Sequence, residues 1–127
     1  MNLLLDLGNT RLKWACDDGG ALTARGSLAH AEADWDAALA RLWSTLPQPR
    51  AAWLAAVAAE PLAVAVQARI VSLWPGTTIH RVQSPAQASG IRNAYREPAR
   101  LGVDRFLAML GARALEADAV VVAGCGT

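Results

Sequence analysis

The residues with the clearest chemical potential lie near the start of the chain, in residues 3–14 (LLLDLGNTRLKW). Asp6 follows an apolar run, and a glycine and two small polar residues come shortly after it. Lys13 lies in the next apolar segment. Glycine lets the backbone approach an anion, amides and hydroxyls donate to phosphate oxygens, and a carboxylate can hold hydrated Mg2+. The segment predicts a hairpin around a metal-bound polyphosphate, although a plain Gly-Asn turn with a solvated lysine fits these residues equally well.

A second group of chemically capable residues lies at 95–105 (YREPARLGVDR). Gly102 allows a tight entry into a helix whose first turn carries Asp104 and Arg105. The carboxylate can accept a proton from a substrate hydroxyl, and the guanidinium can hold a substrate carboxylate through paired hydrogen bonds. An isolated pair of this kind is more often a helix cap and a surface cation. The tyrosine and proline just before it, in a chain that already carries a phosphate-loop candidate, favour a binding site.

The elements that must position the first group are strands. Residues 3–5 predict a buried strand, and Leu12, Trp14 and Cys16 alternate with their neighbours as in a paired second strand. The turn DDGG at 17–20 leads into a third strand at 21–28, which completes an antiparallel meander. Further strands are predicted at 51–58, 77–82 and 119–123, the first of them buried and parallel.

Three amphipathic helices alternate with these later strands. The first ends at Pro47, the second begins at Glu60 and Pro61, and the third spans residues 101–115. Their predicted inward residues fall at helical spacing and are Trp35, Leu39, Leu42, Trp43 and Leu46, then Leu62, Val66, Ile70, Leu73 and Trp74, then Val103, Phe106, Leu107 and Leu110. Residues 83–99 are polar and marked by prolines, and their alternation is too weak to predict an element.

A meander followed by alternating strands and helices implies an α/β fold with a mixed sheet flanked by helices. We find no internal repeat or linker, so residues 1–127 are expected to form one domain. The last predicted strand runs into Gly-Cys-Gly-Thr at 124–127, which looks like a second phosphate loop. We therefore expect the chain to be the N-terminal part of a longer protein.

Composition excludes several functional classes. The 127 residues are 54% hydrophobic and 18% charged with a formal net charge of +1, so there is no electrostatic footprint for nucleic acid. Two distant cysteines, Cys16 and Cys125, suggest neither a zinc site nor a disulfide framework. No signal peptide or membrane-spanning run is apparent, so the expectation is a cytoplasmic protein without nucleic-acid or membrane partners.

Three motifs, in this order, resemble those of the type III pantothenate kinases, a family that includes proteins named Bvg accessory factor. Residues 6–10 (DLGNT) resemble the family's first phosphate motif, Asp-x-Gly-Asn-Thr/Ser. Residues 95–105 match its substrate motif, Tyr-x-x-Pro-x-x-Leu-Gly-x-Asp-Arg, at every spacing. Residues 124–127 fall where the second phosphate motif, Asp-x-Gly-Thr, begins.

The resemblance implies a ribonuclease H-like domain of the acetate and sugar kinase/Hsp70/actin superfamily, with a mixed five-stranded sheet. It implies a homodimeric enzyme that uses ATP and Mg2+, with potassium or ammonium, to phosphorylate pantothenate to 4'-phosphopantothenate, the first step of coenzyme A synthesis. Residues 1–127 would be the N-terminal domain and end where a second domain starts. Because half of the nucleotide cleft would then be missing, we expect this chain by itself to be inactive.

The resemblance also implies roles for individual residues. Asp104 would be the proton acceptor, Arg105 the partner of the substrate carboxylate, and Asp6 would support Mg2+ with Lys13 placed for the β- and γ-phosphates. Where the family has an aspartate that contacts the monovalent cation, this chain has Gly124, so we expect that site to be lost, rebuilt or dispensable. The implied ATP contacts are Asp6, Leu7, Gly8, Asn9, Thr10, Arg11, Leu12, Lys13 and Thr127, and the implied pantothenate contacts are Tyr95, Gly102, Val103, Asp104 and Arg105.

Two other functions remain open at this point. Gly124 and the short chain also fit a non-catalytic nucleotide-binding or regulatory protein on the same scaffold. A kinase of another small hydroxy compound is the second alternative, because the motif at 6–10 does not specify the acceptor.

Overall fold

The computed structural model describes residues 1–124, which divide into two compact units, residues 1–82 and a unit that begins at Gln83. The elements of the first unit are β1 (Asn2–Leu7), β2 (Arg11–Asp17), β3 (Leu22–Ala29), α1 (Trp35–Trp43), β4 (Ala51–Ala56), α2 (Glu60–Leu73) and β5 (Thr78–Val82). Those of the second are β6 (Gln87–Ala88), β7 (Ile91–Arg92), a short 3-10 turn (Pro98–Arg100) and α3 (Val103–Leu115). No helix among the described residues is long and apolar enough to span a bilayer.

The first unit is built on a five-stranded sheet with the order β3-β2-β1-β4-β5. The pairs β1–β2 and β2–β3 are antiparallel, whereas β1–β4 and β4–β5 are parallel. This confirms the predicted mixed five-stranded sheet and the predicted meander. Because β1 and β4 are parallel neighbours, their carboxyl ends lie at the same edge of the sheet, where open α/β sheets bind ligands.

One face of the sheet carries the core of the first unit. Alternate residues of β1 and β2 are buried, as the period-two pattern predicts. Trp43 of α1 lies against this face, with its ring edge-to-face with Trp14 at 6.0 Å and stacked on Trp74 at 5.7 Å. The buried cluster consists of Leu3, Leu5, Leu7, Leu12, Trp14, Cys16, Leu39, Trp43, Ala52, Leu54, Ala63, Val66, Ile70 and Trp74.

Gly26 of β3 makes room for one of these aromatic rings. It pairs with Trp14 across the sheet, and a Cβ built on Gly26 would lie 2.2 Å from Cζ2 of that ring. Real Cβ contacts are never so short, so the indole of Trp14 lies directly over the glycine. The register between β2 and β3 shifts just beyond this pair, between Trp14 and Cys16. Such irregularities increase the local twist and re-aim side chains.

The prediction of inward-facing side chains is wrong for two leucines. Leu42 of α1 and Leu107 of α3 are both exposed. In α1 the buried residues are Leu39 and Trp43, and in α3 they are Val103 and Phe106, so each buried stripe is narrower than the apolar pattern. Apolar residues at the margin of a stripe remain in solvent when no neighbouring element covers them.

The prediction of a strand at 119–123 is also wrong. Residues 119–124 form no strand, and Val121 is 92% exposed. β-branched residues stabilise a strand only when a hydrogen-bonded neighbour and a packed face are available, and among the described residues this segment has no ladder partner. In residues 83–99, where the pattern predicted nothing, β6 and β7 form a short hairpin whose turn residues Ser89 and Gly90 both have positive φ.

Candidate functional site

Asp6 and Lys13 face each other across the β1–β2 ladder on the side of the sheet opposite the core. The carboxylate Oδ2 of Asp6 lies 3.6 Å from Nζ of Lys13, and the side chains are 48% and 62% exposed. Because both side chains are about half exposed, a ligand can reach both groups. An exposed ion pair contributes little to folding stability, so the fold does not depend on this contact. Lys13 is also the only lysine in the sequence.

Residues 8–10 connect the two strands, and we call them the β1–β2 loop. The Gly8 N–H donates to the carbonyl of Arg11 at 3.1 Å, and the side chains of Asn9 and Thr10 are exposed. A type I′ turn requires a positive φ at both central residues and would explain the Gly-Asn pair without a ligand. Neither Gly8 nor Asn9 has a positive φ, so the loop is not a turn of this type. A Cβ on Gly8 would make only an ordinary 3.5 Å contact, so packing does not require the glycine either.

Backbone hydrogen bonds from neighbouring segments hold both ends of the β1–β2 loop. The Leu7 carbonyl accepts from the N–H groups of Val57 and Ala58 at 3.0 and 3.3 Å. The N–H of His30, directly after β3, donates to the Thr10 carbonyl at 3.0 Å. The loop backbone is therefore preorganised at the carboxyl ends of β1 and β4. Leu7 and Leu12 are fully buried, so only their backbone groups can contact a ligand.

The second unit contains the other predicted residues. Gly102 precedes the first turn of α3, and its carbonyl accepts from the N–H groups of Arg105 and Phe106 at 3.1 and 3.2 Å. Asp104 and Arg105 are exposed in this turn, whereas Val103 and Phe106 are buried beneath it. The burial fixes the start of the helix and leaves the carboxylate and the guanidinium in solvent. Val103 can therefore contact a ligand only through its backbone.

Tyr95 lies in the loop that precedes α3 and is exposed. Together with Arg96, Glu97 and Arg100 it lines an open cleft of about 560 Å3. Glu97 is extended (φ −113°, ψ 98°), as expected for a residue before a proline, and lies 3.9 Å from the Arg100 guanidinium. The cleft combines an aromatic face with two guanidinium groups and one carboxylate, a mixture suited to a small polar ligand.

Sequence reasoning missed two residues that shape this loop. Ser84 and Asn93 are the buried polar side chains of the described residues, and both hydrogen-bond to backbone groups of the loop. Their only sequence signal is a small polar residue beside proline-marked turns, which is common in ordinary loops.

Comparison with known proteins decides the family. The sequence profile described as "Type III pantothenate kinase" matches residues 2–127. A protein of that name from Burkholderia mallei (strain SAVP1) is 40% identical over 129 residues, which cover 100% of this chain and 48% of the relative. Its namesake from Dechloromonas aromatica (strain RCB) is 40% identical over 127 residues, covering 100% of this chain and 51% of the relative. The chain belongs to the type III pantothenate kinase family.

Family membership accounts for the architecture of the first unit. The type III pantothenate kinases have the actin-like α/β fold, and the observed mixed sheet with flanking helices agrees with it. The chain spans about half the length of the curated relatives it matches. A third relative, the type III pantothenate kinase of Burkholderia thailandensis, is 39% identical and is matched over 47% of its length.

The metals that the family resemblance implies differ in how well they fit this chain. Mg2+ in nucleotide sites takes one or two carboxylates together with phosphate oxygens, and Asp6 offers an accessible carboxylate beside the β1–β2 loop. For the monovalent cation, Gly124 offers no side-chain oxygen. Apart from its neighbours in the chain, no atom of the described residues lies within 4 Å of a Cβ built there. Within residues 1–124 there is no cluster of three or more histidine, cysteine or acidic residues. Thr127, the predicted ATP contact, lies outside the described residues.

Proposed function

We propose that the complete protein containing this chain transfers the γ-phosphoryl group of ATP to the primary hydroxyl of pantothenate, giving 4'-phosphopantothenate and ADP. The observation that supports this most strongly is the family match over residues 2–127, which includes both the DLGNT loop and the segment ending in Asp104 and Arg105. The proposal extends to the parts that rest on family resemblance, namely a homodimer in the cytoplasm.

In this proposal the β1–β2 loop holds the phosphates of ATP. The loop backbone is fixed, so its amides and the exposed side chains of Asn9 and Thr10 would bind phosphate oxygens at little ordering cost. Lys13 would neutralise charge on the β- and γ-phosphates, and Asp6 would hold Mg2+, which supplies charge neutralisation when bound. Positioning and charge neutralisation are the main requirements of phosphoryl transfer.

Asp104 and Arg105 would act on the acceptor. As the hydroxyl oxygen forms its bond to the γ-phosphorus and the bond to ADP breaks, the hydroxyl proton would pass to the carboxylate of Asp104. Arg105 would hold the carboxylate of pantothenate through paired hydrogen bonds. Since Gly124 provides no side-chain ligand for a cation, no step is assigned to potassium, and we expect turnover that does not depend strictly on it.

The decisive experiment is a coupled kinase assay on the complete protein with ATP, pantothenate and a range of potassium concentrations. Asp104→Asn keeps the shape of the side chain but removes the proton acceptor, so kcat should fall by roughly 10²–10⁴-fold. Asp118→Asn, an exposed aspartate in the same unit, is the matched control and should leave kcat unchanged. An Asp104→Asn variant with near-native kcat would contradict the assignment of the proton acceptor.

Gly124 motivates one other candidate, a nucleotide-binding or regulatory protein without kinase activity. Such a protein would bind ATP with measurable affinity and release no ADP in the presence of pantothenate. Equilibrium binding of ATP, measured beside the kinase assay, separates this candidate from the kinase.

A further inference from the structure

Among the described residues of the second unit, two polar side chains are buried, Ser84 at 5% and Asn93 at 8% exposure. Buried polar groups are nearly always hydrogen-bonded, because a group without a partner loses its hydrogen bonds to water and gains none in return. Both residues lie in the stretch before α3 that lacks a regular backbone ladder apart from the short β6–β7 hairpin. The partners of the two side chains therefore show what each residue holds in place.

Asn93 uses both ends of its amide on the loop that contains Tyr95. Its Nδ2 donates to the carbonyls of Pro85 and Pro98 at 3.2 and 3.0 Å, and its Oδ1 accepts from the Tyr95 N–H at 3.0 Å. The Asn93 backbone N–H in addition donates to the Ala86 carbonyl at 2.9 Å. One side chain thus replaces the backbone partners that a strand or helix would supply. It fixes the backbone of Tyr95 and the start of the 3-10 turn.

Ser84 holds the other end of the same segment. Its Oγ donates to the Leu101 carbonyl at 2.7 Å, and this hydrogen bond is buried. Leu101 lies directly before Gly102, so the bond fixes the peptide group through which the chain enters α3. The Leu101 N–H also donates to the Pro98 carbonyl at 3.1 Å, which links this end to the part of the loop held by Asn93.

We propose that Asn93 and Ser84 are positioning residues for the acceptor substrate: Asn93 places Tyr95, and Ser84 places the entry to α3 and with it Asp104 and Arg105. This inference rests on the proposed function. Neither side chain contacts the substrate itself. Ordering a loop backbone costs conformational entropy, and a misplacement of about 1 Å at a reacting group can cost on the order of 100-fold in rate. The two side chains keep the loop in one conformation before substrate binds.

The test measures kcat and the KM values for pantothenate and ATP separately in the complete protein. The variants are Asn93→Ala, Ser84→Ala and Ser84→Thr, with the exposed neighbours Gln87→Ala and Gln83→Ala as matched controls. We expect Asn93→Ala and Ser84→Ala to raise the KM for pantothenate by about 10-fold or more and to leave the KM for ATP within about twofold. In Ser84→Ala we expect kcat to fall as well, because Asp104 would be displaced. Ser84→Thr keeps the hydroxyl donor and should restore much of the loss.

A purely structural role predicts a different result. General destabilisation would lower the fraction of active enzyme, so kcat would fall without a change in the KM for pantothenate. A general distortion of the active site would instead raise the KM values for pantothenate and ATP together. Either outcome overturns the proposal, as do kinetics equal to those of the control variants. If Asn93→Ala does not fold, the Ser84→Ala and Ser84→Thr pair decides between the two roles.

Amide hydrogen exchange separates this inference from the proposed function. Because the Tyr95 N–H donates to Oδ1 of Asn93, its exchange should be faster in Asn93→Ala and unchanged in Gln87→Ala. If the wild-type protein does not phosphorylate pantothenate, the proposed function fails, and unchanged exchange at Tyr95 would independently exclude ordering of the loop by Asn93. Selective KM changes in an active wild-type protein support both.

Discussion

The β1–β2 loop of the first unit and the 95–105 segment of the second unit keep their shapes by different means. The β1–β2 loop is held by backbone groups, since Leu7 and Thr10 accept from N–H groups of segments beside the sheet edge. The 95–105 segment is held by the side chains of Asn93 and Ser84. The shape of the first should therefore survive changes of its own side chains, whereas the shape of the second depends on two particular residues.

The largest expected change in stability comes from disturbing the sheet that supports the β1–β2 loop. Gly26→Ala places a Cβ 2.2 Å from Cζ2 of Trp14, so the ring or β3 must move, and we expect a loss of about 2–3 kcal/mol in the free energy of unfolding. Urea unfolding of the complete protein measures this loss. Gly111→Ala is the control, because a Cβ there meets nothing within 4 Å and alanine favours the helix by up to about 1 kcal/mol. Equal stability of the two variants would refute the proposed contact.

A smaller effect is expected from the β1–β2 loop itself. Asn9→Ala and Thr10→Ala remove exposed side chains from a loop that backbone bonds hold, so the free energy of unfolding should change by less than about 0.5 kcal/mol. ATP binding by the complete protein should weaken by about 10-fold, since each variant would remove a proposed phosphate contact. Equilibrium titration and urea unfolding test the two parts. A stability loss above about 1 kcal/mol would show that these side chains shape the loop.

A further expected effect is on the pH dependence of stability and concerns β2, the strand that carries Lys13. Burial raises the pKa of the Cys16 thiol above its ordinary value of 9.0. The unfolded chain therefore loses this proton first, so the stability is complete below pH 9 and falls as the pH rises towards the folded-state pKa, by at most about 1.4 kcal/mol per pH unit. Denaturant unfolding between pH 8 and about pH 10.5 measures the slope. In Cys16→Ala that part of the slope should be absent, and an identical slope in both proteins would contradict it.

Much of the first unit could be predicted because its signals are local. The alternation of Leu12, Trp14 and Cys16 is visible in sequence and defines the buried face of β2. The contact between Gly26 and Trp14 could not be predicted in the same way, because it depends on the register between β2 and β3. The strand predicted at 119–123 failed for a related reason, since a ladder partner is not a property of the segment itself.

In the candidate site, too, some residues could be predicted from the sequence and others could not. Asp6, Lys13, Asp104 and Arg105 could be selected from the sequence alone, because their side-chain chemistry and spacing suggest a role. Sequence reasoning did not select Asn93 and Ser84 because they bind backbone carbonyl and N–H groups. Every residue type offers the carbonyl, and every type except proline offers the N–H. The sequence does not show which backbone groups lack partners, so residues that satisfy such groups become visible only with the fold.

The distribution of aromatic residues allows the two units to be followed separately by fluorescence. All five tryptophans lie within residues 1–82, and the single tyrosine, Tyr95, lies in the second unit. Tryptophan emission therefore reports on the first unit, where Trp14, Trp43 and Trp74 share one core and Trp53 is exposed. Tyr95 is the single tyrosine of the sequence, so a fluorescent label placed at this position would report on the segment that Asn93 and Ser84 hold. One optical method can thus time the melting of each unit.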